Sequence, residues 1–280
     1  MSDLRGKRAL ITGASSGIGA ALAHQLADLG VHLVVTARRK DALDRVAEAC
    51  RAKGVTVDVV VADLGKPESA TEVWNAAHVV GPIDILINNA GFGYFRKFAG
   101  VDWARDAELL QLNLTSLLEL SRRMVDTHVG TVERTYLVNI ASIGAYQSVP
   151  NMAVYAASKA FVRNFTEALH DELRDVGSAL SATCICPGGT TTEFHEQAGA
   201  GNYSWIANNS MKSAEAVAAT TIKAMRKGRR NVIPGIINNL SCWGVRFVPR
   251  RLSSWLARRV LGKPRQAALP ARSGNVSTGA

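Results

Sequence analysis

No acidic residue occurs after Glu215. Residues 1–215 hold 20 Lys/Arg against 23 Asp/Glu, and residues 216–280 hold 13 Lys/Arg against none. The net charge of +10 is therefore a property of the C-terminal end, and the rest reads as a mildly acidic globular protein. Cysteine is scarce, with four in 280 residues, which excludes a disulfide-stapled scaffold. No run of about 20 apolar residues exists, which excludes a polytopic membrane protein. Charged residues make up only 20% against 47% hydrophobic, which excludes a disordered chain. Residues 1–7 are polar and lack an apolar core with a cleavage site, so no secretory signal and a cytoplasmic location are expected. Cys184 and Cys186 stand two apart in an apolar run, on one side of a strand. No His or further Cys stands at metal-ligand spacing beside them, so buried structural thiols are expected and no metal.

What is present is a regular alternation. Short β-rich runs cover residues 7–13, 31–37, 55–63, 83–91, 134–142, 179–189 and 231–233. Helical patterns cover 18–29, 41–53, 67–79, 102–128, 152–176 and 213–227. Strands that are apolar throughout are buried on both faces, which requires helices on each side of a parallel sheet. The expected fold is a doubly wound, Rossmann-type α/β domain of about seven strands over residues 1–235. Residues 192–212 break the rhythm and carry Phe194, His195, Tyr203 and Trp205, as a substrate lid would. Residues 236–265 are expected to form a basic amphipathic extension, and 266–280, rich in Ala, Pro, Ser and Gly, a disordered tail.

The first strand runs into Thr12-Gly13-Ala14-Ser15-Ser16-Gly17-Ile18-Gly19 and then a helix. Glycines there let the backbone approach a pyrophosphate, and the helix N-terminus offers N–H groups and a positive dipole end. A dinucleotide is the expected ligand. Sites that prefer NAD carry an acid at the end of the second strand for the ribose 2′-hydroxyl. Here Arg38, Arg39 and Lys40 stand instead, with no acid before Asp41, so Arg38 is assigned to a 2′-phosphate and NADP(H) is favoured over NAD(H). Asp63 and Leu64, after the third strand, would bracket the adenine.

Tyr155 and Lys159 lie i, i+4 on an expected helix and share a face. A cation beside a Tyr favours the phenolate and moves the hydroxyl toward useful acid–base chemistry. Ser142, at the end of the fifth strand, would hold a substrate oxygen nearby.

These motifs resemble those of the short-chain dehydrogenase/reductase family. Thr12–Gly19 is similar to its TGxxxGxG, and Asn88-Asn89-Ala90-Gly91 to its NNAG. Asn113, Ser142, Tyr155 and Lys159 follow its Asn–Ser–Tyr–Lys order and spacing. Pro187-Gly188 with Thr192 is similar to its PGxxxT. The resemblance spans roughly residues 5–235. It implies that Tyr155 exchanges a proton with the substrate oxygen, that Lys159 binds the nicotinamide ribose and lowers the Tyr155 pKa, and that Ser142 orients the carbonyl. It implies that Asn113 holds a water in a proton relay. Gly13, Ser15, Ser16, Gly17, Ile18 and Gly19 would wrap the pyrophosphate. Asn89, Ala90 and Gly91 would line the cofactor cleft, and Pro187, Gly188, Thr190 and Thr192 would lie by the nicotinamide. Ser15 and Ser16 stand where many relatives carry a basic residue, and Gly189-Thr190-Thr191 where many carry an aliphatic one. The family also implies a homodimer or homotetramer joined through the two long helices.

Phe92, Tyr94, Phe95, Ile143, Tyr146 and Val149 are candidate pocket residues beside the lid aromatics, and they suit a hydrophobic ketone, aldehyde or alcohol. A second class of function is a catalytically silent NADP(H)-binding sensor or scaffold, for which a missing tetrad member would be the mark; here all four are present. In the tail, Ile236, Leu240, Trp243 and Phe247 recur at helical spacing. Pro249 interrupts, and Leu252, Trp255, Leu256 and Val260 continue among Arg250, Arg251, Arg258 and Arg259. The uncharged stretch 231–245 is too short, and too rich in Asn, to span a bilayer. Three readings stay open: a cover over the pocket or an interface, peripheral docking on anionic lipid, and nucleic-acid binding, for which no motif exists.

Overall fold

The computed structural model describes residues 4–190 and 211–261. Seven strands form one parallel sheet: β1 (Arg8–Thr12), β2 (His32–Ala37), β3 (Val57–Val61), β4 (Ile85–Asn88), β5 (Thr135–Ile140), β6 (Leu180–Ile185) and β7 (Asn231–Val232). Their spatial order is β3-β2-β1-β4-β5-β6-β7. The order reverses between β1 and β4, and a crevice opens there at the C-terminal strand ends.

The period-2 alternation of each strand divides the core. Ala9, Ile11, Leu33, Val35, Ile85, Ile87, Tyr136 and Val138 face one side. There they meet Leu22 and Leu26 of α1 (Gly17–Asp28), Leu43 of α2 (Lys40–Arg51) and Ile222 of a later helix. Leu10, Val34, Leu86 and Leu137 face the other. Their partners are Trp74 of α3 (Ser69–Val79), Leu120 and Met124 of α5 (Ser116–His128), and Leu169 and Leu173 of α6 (Ala153–Asp175). Each such Leu or Ile buried in full contributes about 1.5–3 kcal/mol.

The single helix expected over 102–128 is divided. α4 (Trp103–Leu110) passes into a π-helical turn (Gln111–Thr115) before α5 begins. After β6, Thr190 forms a parallel bridge with Lys212. Thr192 and the lid residues Phe194, His195, Tyr203 and Trp205 lie outside the described residues, as does the tail 266–280. α7 (Ala214–Arg226) returns to the sheet with Ser213 capping it through its hydroxyl. The chain then forms α8 (Ile236–Gly244), a 3-10 turn (Val245–Phe247) and α9 (Arg250–Leu261). All four cysteines are buried free thiols, and the Cys184 and Cys186 sulfurs lie 3.7 Å apart on one side of β6.

A buried polar ladder ties the sheet to two helices. The Asn88 side chain donates to Asn139 Oδ1 at 2.9 Å and to Ser121 Oγ at 3.1 Å, and Asn139 Nδ2 donates to Thr166 Oγ1 at 2.9 Å. Asn139→Ala removes both of that residue's bonds and should lower stability by about 1–3 kcal/mol. Urea unfolding followed by circular dichroism measures it, and an unchanged midpoint would argue against the ladder.

Candidate active site

Every motif singled out in the sequence that falls within the described residues lies at the C-terminal edge of the sheet or on the helix facing it. The loops after β1 and β4 are clamped together. Thr12 Oγ1 accepts from the backbone N–H groups of Asn89 and Ala90 at 3.0 and 2.9 Å. Asn89 Nδ2 donates back to the carbonyls of Thr12 and Gly13 at 2.9 and 3.1 Å. Gly13 has φ +67, a left-handed conformation, and a Cβ there would stand 2.9 Å from Ala90 Cα. At Gly19 a Cβ would stand 2.3 Å from the Gly13 carbonyl oxygen. Only bare backbone fits at this close approach.

The residues present fit a pyrophosphate. α1 begins at Gly17 behind Ser16, whose side chain makes no capping hydrogen bond, and no acid sits in the first turn. The N–H groups of that turn and the positive dipole end are left to an anion. The cations after β2 have different partners. Arg38 is largely exposed and lies 3.5 Å from Glu108, whose other oxygen holds Arg105 at 2.5 Å. It is Arg39 that reaches the glycine-rich loop, donating to Ser16 Oγ at 2.8 Å and to Ser15 Oγ at 3.5 Å. The only sequence signal for Arg39 was its place in the Arg38-Arg39-Lys40 run. Asp63 Oδ1 accepts from the Gly65 N–H at 3.0 Å, which shapes the turn after β3. Leu64 is buried in the core, and its carbonyl accepts from Ser116.

Asn113, Tyr155 and Lys159 are brought together by the π-helical turn, the loop after β4 and α6, and Lys159 reaches the Ile140 carbonyl two residues before Ser142. Asn113 is fully buried in the π-helical turn. Its Oδ1 accepts from the Phe92 N–H at 3.1 Å, and its Nδ2 donates to the Phe92 carbonyl at 3.0 Å and to Ser158 Oγ at 3.2 Å. Ser158 donates onward to the Tyr155 carbonyl at 2.7 Å. Lys159 is buried, with Nζ donating to the Ile140 carbonyl at 2.8 Å and standing 5.9 Å from the centre of the Tyr155 ring. Burial lowers the Lys159 pKa to about 8, because a cation loses its hydration there. Its charge is thus complete well below pH 8 and declines above it. Ser142 follows β5 and caps the 3-10 turn Ile143–Tyr146, accepting from the Gly144 N–H at 3.1 Å, which orients its hydroxyl. A Cβ on Gly91 would stand 3.0 Å from Asn113 Oδ1 and 3.3 Å from Lys159 Nζ, so this glycine lies between the two.

The loop after β6 is held to Ser142's turn: Pro187 is buried and its carbonyl accepts from the Ile143 N–H at 2.9 Å. Thr190 Oγ1 donates to the Gly188 carbonyl at 3.3 Å. A Cβ on Gly188 would stand 2.4 Å from Asn238 of α8, a contact no sequence motif announces. Of the candidate pocket residues, Tyr94, Phe95 and Val149 are buried, and the Tyr94 hydroxyl bonds the Asp106 carboxylate. Phe92 lies under Arg105. Tyr146 bonds Asn231 at 3.2 Å beneath Arg163.

The sequence profile described as short chain dehydrogenase matches residues 7–202. The chain belongs to the short-chain dehydrogenase family. It is 32% identical over 195 residues to an uncharacterized oxidoreductase of Myxococcus xanthus, covering 69% of this chain and 76% of that protein. It is 34% identical over 191 residues to the ketoacyl reductase HetN of Nostoc sp., covering 67% and 65%. Among solved structures, a short-chain dehydrogenase from Sphingobium yanoikuyae in complex with NADPH is similar with TM-score 0.75 and 30% identity, over 86% of this chain and 94% of that one. A family member from Burkholderia phymatum in complex with NAD gives TM-score 0.78 and 26% identity, over 95% and 100%. This short-chain dehydrogenase is thus a nucleotide-binding oxidoreductase of the type acting on alcohol or carbonyl groups, and its relatives include binders of either nicotinamide cofactor.

Gly93 offers a test of the geometry. A Cβ there would stand 2.6 Å from the Tyr155 ring, so Gly93→Ala must displace the ring. A shift of that order should lower kcat about 10–100-fold while the fold persists. Steady-state rates alongside thermal unfolding test it, and a variant with parental kcat would show that the ring position does not matter.

Proposed function

We propose that the chain is an NADP(H)-dependent oxidoreductase that interconverts a hydrophobic ketone or aldehyde and its alcohol, with Tyr155 as general acid–base. The observation that carries this reading is the buried Lys159 ammonium, fixed on the Ile140 carbonyl one helical turn from Tyr155. A cation desolvated there stabilises a phenolate far better than one in water. When bound, the nicotinamide carries the hydride exchanged with the carbonyl carbon. In the reducing direction Tyr155 gives its hydroxyl proton to the carbonyl oxygen, which Ser142 holds by hydrogen bonding. Lys159 stabilises the resulting phenolate and binds the ribose. Asn113 fixes the loop after β4 against α6 and holds the water through which the proton is replaced. Glycines 13, 17 and 19 with Ser15, Ser16 and Ile18 wrap the pyrophosphate. Asp63 and Leu64 flank the adenine. Asn89, Ala90 and Gly91 form the cleft floor, and Pro187, Gly188, Thr190 and Thr192 its nicotinamide side.

The preference for NADP(H) rests on two cations after β2 where an acid would otherwise accept the 2′-hydroxyl. Arg38 binds the 2′-phosphate after leaving Glu108, and Arg39 meets it from the side of Ser15 and Ser16. Residues 1–235 are the catalytic unit, with 192–212 as its lid, and α5 and α6 join copies into a homodimer or homotetramer. The silent-scaffold reading loses support because all four tetrad residues are retained.

Tyr155→Phe should lower kcat about 10²–10⁴-fold. NADPH binding, followed by fluorescence, should remain, and a near-parental rate would overturn the mechanism. Arg38→Asp and Arg39→Gln should each shift the ratio of kcat/KM for NADPH over NADH toward NADH by about tenfold or more, the scale of one lost charge-assisted phosphate bond. An unchanged ratio in both would remove the 2′-phosphate assignment.

A further inference from the structure

The C-terminal helices are packed the wrong way round for a cover in water. The buried residues of α8 and α9 are small or polar: Asn238, Cys242, Ser253 and Ala257 are each at most 5% exposed. The large apolar residues face outward. Ile236, Leu240, Trp243 and Phe247 are 59–80% exposed, and Leu252, Trp255 and Leu256 are also exposed. Trp243 and Phe247 meet with ring centres 4.7 Å apart, so the outward face runs on from α8 into the 3-10 turn before α9. A contiguous apolar face of this size marks an interaction surface.

Its charge says what kind. Arg246, Arg250, Arg251, Arg258 and Arg259 are exposed around it, and Arg259 lies 4.3 Å over the Trp255 ring. No acid follows Glu215 to balance them. A symmetric contact with a second copy would set these arginines against themselves. An anionic lipid surface neutralises them and takes up the Trp, Phe and Leu side chains at the headgroup level. No helix among the described residues is long and apolar enough to cross a membrane, so the geometry is that of helices lying in the interface.

We propose that α8 and α9 dock this protein on an anionic membrane surface. The inner side of α8 fixes the orientation. Asn238 rests against Gly188 in the loop after β6, and the helix also packs on the turn Ile143–Tyr146 that follows Ser142. Docking therefore holds that side of the crevice next to the bilayer. The inference needs no turnover and stands apart from the catalytic reading.

Vesicle co-sedimentation of the full chain tests it. Strong binding is expected to phosphatidylcholine–phosphatidylglycerol vesicles at low salt and weak binding to phosphatidylcholine alone. Release is expected at about 1 M salt, where the Debye length is about 3 Å. Trp243→Ser with Phe247→Ser, and separately Arg250→Gln, Arg251→Gln, Arg258→Gln and Arg259→Gln together, should each lower the bound fraction about tenfold or more. Circular dichroism should be unchanged in both, since these side chains are exposed. Absence of binding to anionic vesicles at low salt, or variants that bind like the parent, would overturn the proposal. Loss of mass by light scattering in the Trp243/Phe247 variant, without vesicle binding of the parent, would instead assign the face to a second copy.

Discussion

A buried primary amide has two donors and an acceptor that must all be met inside the protein. Asn113 meets them by bonding both backbone groups of Phe92 and the hydroxyl of Ser158. Three separate pieces of chain are joined there: the loop after β4, the long helical stretch before β5, and α6. An α-helix of regular pitch from residue 103 to 128 would run its carbonyls and side chains past this point without interruption. The π-helical turn over Gln111–Thr115 changes the register locally and sends Asn113 inward. The position of Tyr155 follows, because Ser158 holds the Tyr155 carbonyl and Gly93, one residue past Phe92, lies against its ring.

The second constraint is the cost of burying a charge. Lys159 is nearly inaccessible, and the described contact of its ammonium is the Ile140 carbonyl. A site optimised for stability would place an apolar side chain there. The lowered pKa records that conflict, and it is also what makes the group useful. A cation with few competing partners has its field directed at the adjacent ring. Local energy is given up at this point and recovered in the two core layers on either side of the sheet.

The fold was legible because alternation and periodicity are strong in this chain. Ala9, Leu10 and Ile11 face opposite layers in turn, as do Leu33, Val34 and Val35, and such apolar strands admit no other arrangement than a covered parallel sheet. The strands stop earlier than the apolar runs do. Asn89 and Ala90 leave the ladder because Thr12 offers their N–H groups a hydroxyl. Spacing paired Tyr155 with Lys159, since i, i+4 on a helix is a geometric statement, while Asn113 was reached only through the family resemblance. The π-helical turn was not legible: one extra residue per turn over five residues leaves the apolar pattern almost unchanged. The division of labour between Arg38 and Arg39 was also hidden, because it depends on Glu108, 70 positions away. Phe92, Tyr94 and Tyr146 were grouped by chemistry and by their places after two strands; their partners, Arg105 and Asp106 of α4 for the first two and Asn231 for the third, could not be read from the sequence.

The tail shows where a periodic pattern misleads. Ile236, Leu240, Trp243 and Phe247 form a helical stripe, and a stripe in a water-soluble fold ordinarily faces the core. What decides otherwise is the size of the space beside Gly188. The Asn238 side chain of α8 lies so close to Gly188 that an added Cβ there would collide with it, and the buried positions of α8 are Asn238 and Cys242. Asn238 satisfies its amide in part on the Pro234 carbonyl, and Cys242 sits one turn further on. Close approach thus selects the polar side inward and forces the apolar stripe outward. Arg246, Arg250, Arg251, Arg258 and Arg259 are exposed beside that stripe, so the seam beside the crevice leaves both the apolar side chains and these five cations to the outside.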